Sequence, residues 1–228
     1  MKRSSFFQRV FIFILLLSAA FLSAQEITTA STFFNTLSEH YGLIDDYKAD
    51  LVITKGEMTL EGVVFYKTPN LLRINFSEPA DQVIVVNDEN LMIYLPEKSV
   101  VMTQKLRRKS ESTLAAMVSE QGLRLLSQGY SISYLTSPDP EPLEEESNEM
   151  VVKLRLEWRS TDEGFRQIIM SVGEDMMIRR MEGITMTYES VVFDFKNIRT
   201  NQNIPEARFD YEPPASAYEM NNFLFDSE

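Results

Sequence analysis

Cysteine is absent from this 228-residue sequence, and histidine occurs only once. Without cysteine the chain has no disulfide, no thiolate nucleophile and no cysteine-based metal site. It also has no cysteine that could be lipid-modified, so we do not expect it to be a lipoprotein itself. The single histidine, His40, cannot form a metal cluster or a catalytic pair with another histidine, and its place near a predicted helix end favours a structural role.

Glycine is also scarce, with eight residues, and none of them belongs to a phosphate-cradling loop. The sequence contains no HExxH motif, and its acidic clusters at 45–46 and 144–146 fall in predicted loops, where solvated charge is the ordinary state. An enzyme needs a nucleophile with a base, carboxylates in a defined setting, or metal ligands. We therefore expect a protein that is not an enzyme and that holds no cofactor and no metal.

Basic residues are outnumbered, with 22 Lys and Arg against 34 Asp and Glu and a formal net charge of −12. Nucleic-acid binding requires a basic face that neutralises phosphates, so no nucleic-acid partner is expected. A high net charge of one sign instead favours solubility.

The N-terminus has the pattern of a secretory signal. Lys2, Arg3 and Arg9 precede an apolar run at 10–17, and Ala24 ends a short Ser/Ala segment. The alternative is an uncleaved membrane anchor, which requires about 20 apolar residues, more than this run offers. We predict a signal peptide over 1–24, cleaved near Ala24, followed by a single domain over 25–228.

The first part of the mature chain changes from helical to strand periodicity. Apolar residues at helical spacing predict a helix from Ala30 to Tyr41, which Gly42 ends. From Asp46 the apolar period is two, and turn signals separate successive runs as far as 101, so an antiparallel meander is predicted. Gly62 lies inside one of these strands and predicts a bulge or a close approach. The apolar run 83–86 predicts a strand covered on both faces.

The second half adds a helical region, a loop and further strands. A basic cluster at 105–109 and a helix-start signal at 110–112 precede an apolar face, which predicts one broken helix or two short ones. Segment 137–149 has three prolines and six acidic residues, which predicts a solvated, mobile loop. We interpret 184–195 as one strand with a β-bulge near Glu189-Ser190, and 207–211 as a short final strand.

These elements define a fold class. One flat open sheet cannot cover so many apolar strand residues. We therefore predict a mainly β (α+β) chain, an incomplete antiparallel β-barrel or strongly curved sheet of about 11–12 strands. The helices would act as a lid over an apolar cavity, and cavities of this kind hold apolar ligands.

The stretch 62–101 carries the most specific motifs. They are a glycine-containing strand, a Lys-Thr-Pro-Asn turn, an apolar strand, a proline, a strand ending in Asp and an apolar Tyr-Leu-Pro, found at 62–65, 67–70, 71–76, 79, 83–88 and 93–96. A further motif, Phe-Asp-Tyr-Glu-Pro-Pro, spans 209–214. Together these motifs resemble the periplasmic outer-membrane lipoprotein carrier family, the LolA-like proteins, over nearly the whole mature chain.

The resemblance implies a half-open β-barrel closed by helices, and a periplasmic chaperone that shuttles acylated lipoproteins. The implied partners are an inner-membrane lipoprotein-releasing ABC transporter and an outer-membrane acceptor, with the carrier itself a monomer. A carrier or sensor domain for another lipid or amphiphile, such as a glycolipid, a phospholipid or an envelope-stress ligand, is the alternative. The candidate residues of the acyl-chain cavity are Leu72, Ile74, Phe76, Phe65, Ile93, Leu114, Met117 and Val118. We expect Leu72→Glu to disrupt cargo handling with only a modest effect on folding.

One position departs from the family pattern. The family has an arginine directly before the motif proline, where it latches the lid, and this sequence has Thr68 there. Threonine donates a single hydrogen bond and carries no charge. Either Lys67 or Arg73 takes over that role, or the lid is held more weakly, so Thr68, Lys67 and Arg73 are the candidate latch residues.

Overall fold

The structure is a computed structural model, and it describes residues 28–87, 90–105, 119–160 and 164–221. Within these residues there are two α-helices, α1 (Ala30–Tyr41) and α2 (Glu120–Gly129). The strands are β1 (Asp46–Lys55), β2 (Met58–Lys67), β3 (Leu71–Glu78), β4 (Val83–Asn87), β5 (Asn90–Leu95), β6 (Val100–Lys105), β7 (Tyr130–Tyr134), β8 (Glu141–Pro142), β9 (Met150–Trp158), β10 (Phe165–Gly173), β11 (Ile178–Thr185), β12 (Ser190–Thr200) and β13 (Tyr218–Asn221). Short 3₁₀ turns lie at Pro96–Lys98 and Glu206–Phe209. Neither described helix is long and apolar enough to cross a membrane.

All the described strands belong to one sheet. Its order is β13-β6-β5-β4-β3-β2-β1-β12-β11-β10-β9-β7, and β8 pairs with β9 outside this path. Every pair is antiparallel except β13 with β6. Since β13 and β7 stand at opposite ends of the order, the sheet is not closed. This confirms the predicted fold class, a mainly β chain with an incomplete barrel.

Alternation along the strands separates an inner face from an outer face. On β1, Tyr47, Ala49, Leu51 and Ile53 are buried, and the register places them opposite the inner residues of β2. Successive side chains of a strand point to opposite faces, so one buried phase defines the inner face. One hydrophobic cluster joins this face to Leu154, Leu156 and Met170 from the other half of the sheet and to both helices. The sheet therefore wraps around the helices.

Helix α1 matches the prediction from its spacing. The Thr29 hydroxyl accepts a hydrogen bond from the Thr32 N–H at its start, and Gly42 follows its last residue. Phe34 and Leu37 are fully buried against the sheet. His40 lies in the last turn, as expected from its position. Helix α2 begins after Ser119, whose hydroxyl accepts from the Gly122 N–H at 3.0 Å.

The predicted irregularity at Gly62 is present. The register between β2 and β3 shifts between Glu61 and Gly62. A Cβ at position 62 would lie 2.5 Å from the Asn75 carbonyl oxygen and 2.9 Å from the Phe76 Cα. Only glycine allows the two backbones to approach this closely.

Two predicted strands are corrected. The segment interpreted as one strand over 184–195 is a hairpin, in which a turn between Thr185 and Ser190 joins β11 to β12. The turn has no glycine, and Tyr188 adopts a left-handed φ of 64°, so its sequence carried no turn signal. The predicted strand at 207–211 is a 3₁₀ turn, Glu206–Phe209, and the last described strand is β13.

The acidic segment 137–149 is largely exposed, as predicted, but it is not a free loop, because it folds back onto the sheet. Its residues Glu141–Pro142 form β8 against β9. The Glu141 carboxylate lies 3.2 Å from the Lys153 Nζ, and the Glu144 carboxylate lies 2.6 Å from the Arg180 Nη2. Glu149 forms an ion pair with Arg179. The opposing bases come from β9 and β11, and their proximity to this loop is a consequence of the tertiary fold.

Candidate apolar binding face

Four of the predicted cavity residues share the inner face. Leu72, Ile74 and Phe76 of β3 are 2, 5 and 5% exposed, and Ile93 of β5 is half-buried on the same side. The register aligns Ile74 with Ile84 of β4, Ile84 with Ile93, and Ile93 with Met102 of β6. We use the name inner row for Ile74, Ile84, Ile93 and Met102. They form an apolar track across β3, β4, β5 and β6.

Burial changes along the inner row. Ile74 is buried in the main core, whereas Ile84, Ile93 and Met102 are each half-buried. Sequence reasoning did not single out Ile84 and Met102. Their alternating positions placed them on one face, but only the register shows that they continue the row. The half-buried part of the inner row is the apolar surface of this face that remains partly accessible.

Leu72 lies too deep for the role first expected of it. A side chain that is 2% exposed and packed in the core cannot become a carboxylate without a large loss of stability. This burial argues against the expectation that Leu72→Glu has only a modest effect on folding. Ile93 and Met102 are the better positions for probing this face.

Phe65 is not brought together with the other candidates. It pairs with Lys48 and Arg73, which lie on the outer face. The Lys48 Nζ is 5.7 Å and the Arg208 guanidinium carbon 5.1 Å from the centre of its ring. Both contacts are cation–π interactions on the side of the sheet away from the helices. The remaining cavity candidates, Leu114, Met117 and Val118, lie outside the described residues.

Two of the candidate latch residues also face outward. The Lys67 Nζ donates to the Ile204 carbonyl at 2.8 Å. Arg73 donates to the carbonyls of Arg208 and Asp210, each at 3.0 Å, and its guanidinium carbon is 5.3 Å from the Tyr211 ring centre. Burial lowers the pKa of Arg73, and the nearby Arg208 cation lowers that pKa further.

The partner of both bases is a segment of residues 204–211, which we call the strap. It crosses the outer face, and its Phe209 is 1% exposed. The Glu206–Phe209 turn contacts β3 and β4, where Val83 and Val85 are buried on the outer side. The prediction that β4 is covered on both faces is thus confirmed, and Lys67 and Arg73 hold the strap in this structure.

Thr68, the third latch candidate, lies in the exposed turn between β2 and β3. Its backbone N–H donates to the Asp45 carbonyl at 2.9 Å, which ties this turn to the chain before β1. Next to it, the carboxylate of Asp46 is buried and accepts from the backbone N–H groups of Gln202 and Ile204 at 2.7 and 2.9 Å. Thr68 therefore sits at the end of the sheet where the strap begins.

Three buried tyrosines lie at the same end of the inner face, a group that sequence reasoning missed. Tyr47 and Tyr66 are stacked with ring centres 5.2 Å apart, and the Tyr41 hydroxyl accepts from the Ile178 N–H at 3.1 Å. Burial raises the pKa of all three phenols, so they stay neutral. The inner phase of Tyr47 and Tyr66 was readable from alternation. Their meeting with Tyr41 depends on the tertiary contacts of α1, such as the hydrogen bond between Tyr41 and Ile178 of β11.

No group of three or more His, Cys, Asp or Glu side chains suited to a metal ion occurs within 28–87, 90–105, 119–160 and 164–221. The accessible chemistry of the inner row is that of aliphatic and thioether side chains, which contact apolar ligands without directional bonds.

A protein-family model matches most of this chain and shows the family to which it belongs. The model for the outer membrane lipoprotein carrier protein LolA matches residues 48–212, well over half of the sequence. The chain belongs to the LolA family. The matched range runs from β1 through the strap and includes the whole inner row.

Two solved structures share the fold of this LolA-family chain, and a third shows a weaker likeness. An uncharacterized conserved protein from Thermus thermophilus is 12% identical, with a TM-score of 0.55 over 84% of this chain and 98% of its own. The MucA/MucB complex of Pseudomonas aeruginosa gives 12% identity and a TM-score of 0.50, over 80% of this chain and 61% of the matched one. A LolA superfamily protein from Nitrosomonas europaea is 13% identical, with a TM-score of 0.40 over 80 and 98% of the two chains. No curated protein matches the sequence.

Proposed function

We propose that this protein is a non-catalytic periplasmic carrier that covers the acyl chains of lipoproteins and takes them from the inner to the outer membrane. An inner-membrane ABC transporter would load it, and an outer-membrane acceptor would unload it. The observation that carries the proposal is the inner row, a partly accessible apolar track on the inner face of an unclosed sheet in a LolA-family chain.

The physical need for such a cover is large. Each methylene moved from water into an apolar environment gains about 0.8 kcal/mol, so a long acyl chain crosses an aqueous compartment only when shielded. Ile84, Ile93 and Met102 offer aliphatic and thioether surface that adapts to a flexible chain. An open-sided site also permits release to an acceptor, because the cargo does not have to pass through a closed barrel.

A pair of neighbouring substitutions on β5 tests where the acyl chain binds. Ile93 and Met92 are both half-buried, but Ile93 faces inward with Ile84, whereas Met92 pairs with Val85 on the outer side. We expect Ile93→Glu to lower the affinity for a triacylated lipopeptide by at least about tenfold, because a carboxylate would face the apolar chain. Met92→Glu should bind the same lipopeptide with nearly unchanged affinity.

Lipopeptide titration gives the affinities, and circular dichroism with thermal unfolding establishes that both variants fold. Equal loss in the two variants, or no loss in Ile93→Glu, would place the acyl site elsewhere. Native mass spectrometry of protein isolated from its own periplasm then identifies the cargo. Bound triacylated lipoprotein supports the carrier, bound free lipid supports a carrier or sensor of another amphiphile, and no acylated ligand by either method rejects both.

A further inference from the structure

Three exposed apolar side chains lie at one end of the sheet, away from the inner row. Met58 follows the turn between β1 and β2 and is 60% exposed, while Met186 and Tyr188, in the turn between β11 and β12, are 48 and 73% exposed. We call these three residues the apolar tip. Large apolar side chains that are grouped and exposed mark a contact surface more often than scattered ones do.

The two turns are far apart in sequence but adjacent in the fold. Strands β1 and β12 pair, with Lys55 opposite Val191, and the Lys55 Nζ lies 3.1 Å from the Glu189 carboxylate. Both turns therefore project from the same end of neighbouring hairpins. Exposed side chains on two such turns can enter a fluid apolar phase without a preformed pocket to receive them.

The aromatic member of the tip is held in place. The Arg166 guanidinium carbon lies 4.0 Å from the centre of the Tyr188 ring and 5.8 Å from that of Trp158. This cation–π contact orients Tyr188 while most of its surface stays in water. Tyrosine and arginine near methionine form the amphipathic composition found at membrane interfaces, where a ring or stem is buried and a polar end stays wet.

Charge favours one kind of bilayer. Beside the tip, Glu57 and Glu189 are balanced by Lys55 and Arg166, whereas the chain as a whole carries a formal net charge of −12. An anionic lipid surface would repel this protein, so contact depends on the apolar side chains and suits a zwitterionic surface. Binding of that kind is weak and reversible, which a carrier that must leave each membrane requires.

We propose that the apolar tip inserts shallowly into zwitterionic phospholipid bilayers and brings the carrier to the membrane surface at loading and unloading. The choice of a bilayer as the partner rests on the proposed carrier function. The tip residues and the inner row are separate surfaces, so each can be tested without the other.

Single-tryptophan variants test the insertion. Trp158 is the only tryptophan, and Trp158→Phe provides a silent background. In it, Tyr188→Trp places the reporter at the tip, and Leu43→Trp places it at a site that is 76% exposed beside the opposite end of β1. With phosphatidylcholine vesicles carrying brominated acyl chains, we expect a blue shift and loss of emission from Tyr188→Trp and no change from Leu43→Trp.

Salt and side-chain removal sharpen the result. Adding anionic phosphatidylglycerol to the vesicles should weaken binding of the protein, because the protein is negatively charged. Raising the salt concentration should restore this binding, because screening reduces the repulsion between like charges. The double variant Met58→Ser and Met186→Ser should bind zwitterionic vesicles several-fold more weakly, whereas Leu43→Ser should bind as the unmodified chain does. No quenching at position 188, or equal quenching at positions 43 and 188, overturns the proposal.

Lipopeptide binding in vesicle-free solution separates the two proposals. The double serine variant should retain its affinity for the triacylated lipopeptide, because its changes lie outside the inner row. Lipopeptide binding without vesicle insertion would refute membrane insertion of the apolar tip and would still support the carrier function. Insertion without lipopeptide binding would reject the carrier and keep the tip as a membrane contact.

Discussion

At the scale of single residues, position 62 shows how one missing side chain shapes the sheet. The bulge at Gly62 brings the backbone of β3 so close that an added methyl group would overlap the Asn75 carbonyl oxygen. The strand that makes this approach, β3, carries Leu72, Ile74 and Phe76 on the inner face. A change at position 62 would therefore disturb the buried end of the candidate binding face.

We expect Gly62→Ala to lower the free energy of unfolding by about 1–3 kcal/mol, because backbone atoms must move to admit the Cβ. Gly164→Ala is the matched control, since a Cβ at position 164 meets no atom within 4 Å and its φ is not left-handed. Urea unfolding of both variants gives the comparison. Equal stability of the two would show that the backbone around position 62 yields without strain.

Asp46 illustrates a different use of a single side chain. It is 1% exposed, yet its carboxylate is satisfied by two backbone N–H donors from the segment that leads into the strap. A buried carboxylate without donors would be strongly destabilising. The acidic pair 45–46 was interpreted from sequence as solvated charge, and for Asp46 this was wrong because its donors lie more than 150 positions away.

At the scale of elements, the strap explains why some apolar strand residues face away from the helices. Its Glu206–Phe209 turn packs on β3 and β4, where Val83 and Val85 are buried, and the strap receives hydrogen bonds from Lys67 and Arg73. Phe65 lies on this side, where Arg208 of the strap contacts its ring. A strand with apolar residues in both phases does not reveal which phase is inner, and this is why Phe65 was assigned to the cavity.

Removing the Arg73 guanidinium should loosen the strap. We expect Arg73→Gln to lower the free energy of unfolding by about 1–3 kcal/mol, because the Arg208 and Asp210 carbonyls lose charged donors. Hydrogen exchange of residues 204–211 should accelerate while exchange in β9 and β10 stays slow. Arg199→Gln, at an exposed position of β12, is the control. Unchanged exchange in the strap would show that Phe209 alone holds it.

At the scale of the whole molecule, the unclosed sheet leaves edges that the chain must protect. At one side the edge is β13, four residues long and exposed throughout, which pairs in parallel with β6. Very short edge strands are poor templates for pairing with another chain. Without β13, the longer and more apolar β6, Val100–Lys105, would become the edge.

Two truncations test this protection. A chain ending after Ala217 lacks β13, and a chain ending after Asn221 keeps it. We expect the first to self-associate with rising concentration in sedimentation velocity, and the second to remain monomeric, since its edge is short and its net charge negative. Monomeric behaviour of both would show that β6 needs no cover.

The sequence by itself determined the fold class, helix α1, the bulge at Gly62 and the shared inner face of Leu72, Ile74 and Phe76. These features depend on local periodicity, capping and glycine placement, which neighbouring residues control. The motifs around positions 62–101 also indicated the family to which the chain belongs, because they are runs of adjacent residues that need no tertiary contact to be recognised.

Only the tertiary structure decided which face of the sheet each remaining candidate occupies. The strap places Phe65, Lys67 and Arg73 outside, the register extends the inner row to Ile84 and Met102, and the pairing of β1 with β12 assembles the apolar tip. Each of these depends on contacts between residues distant in sequence. A one-residue change of phase moves a side chain to the opposite face, so local pattern cannot settle them.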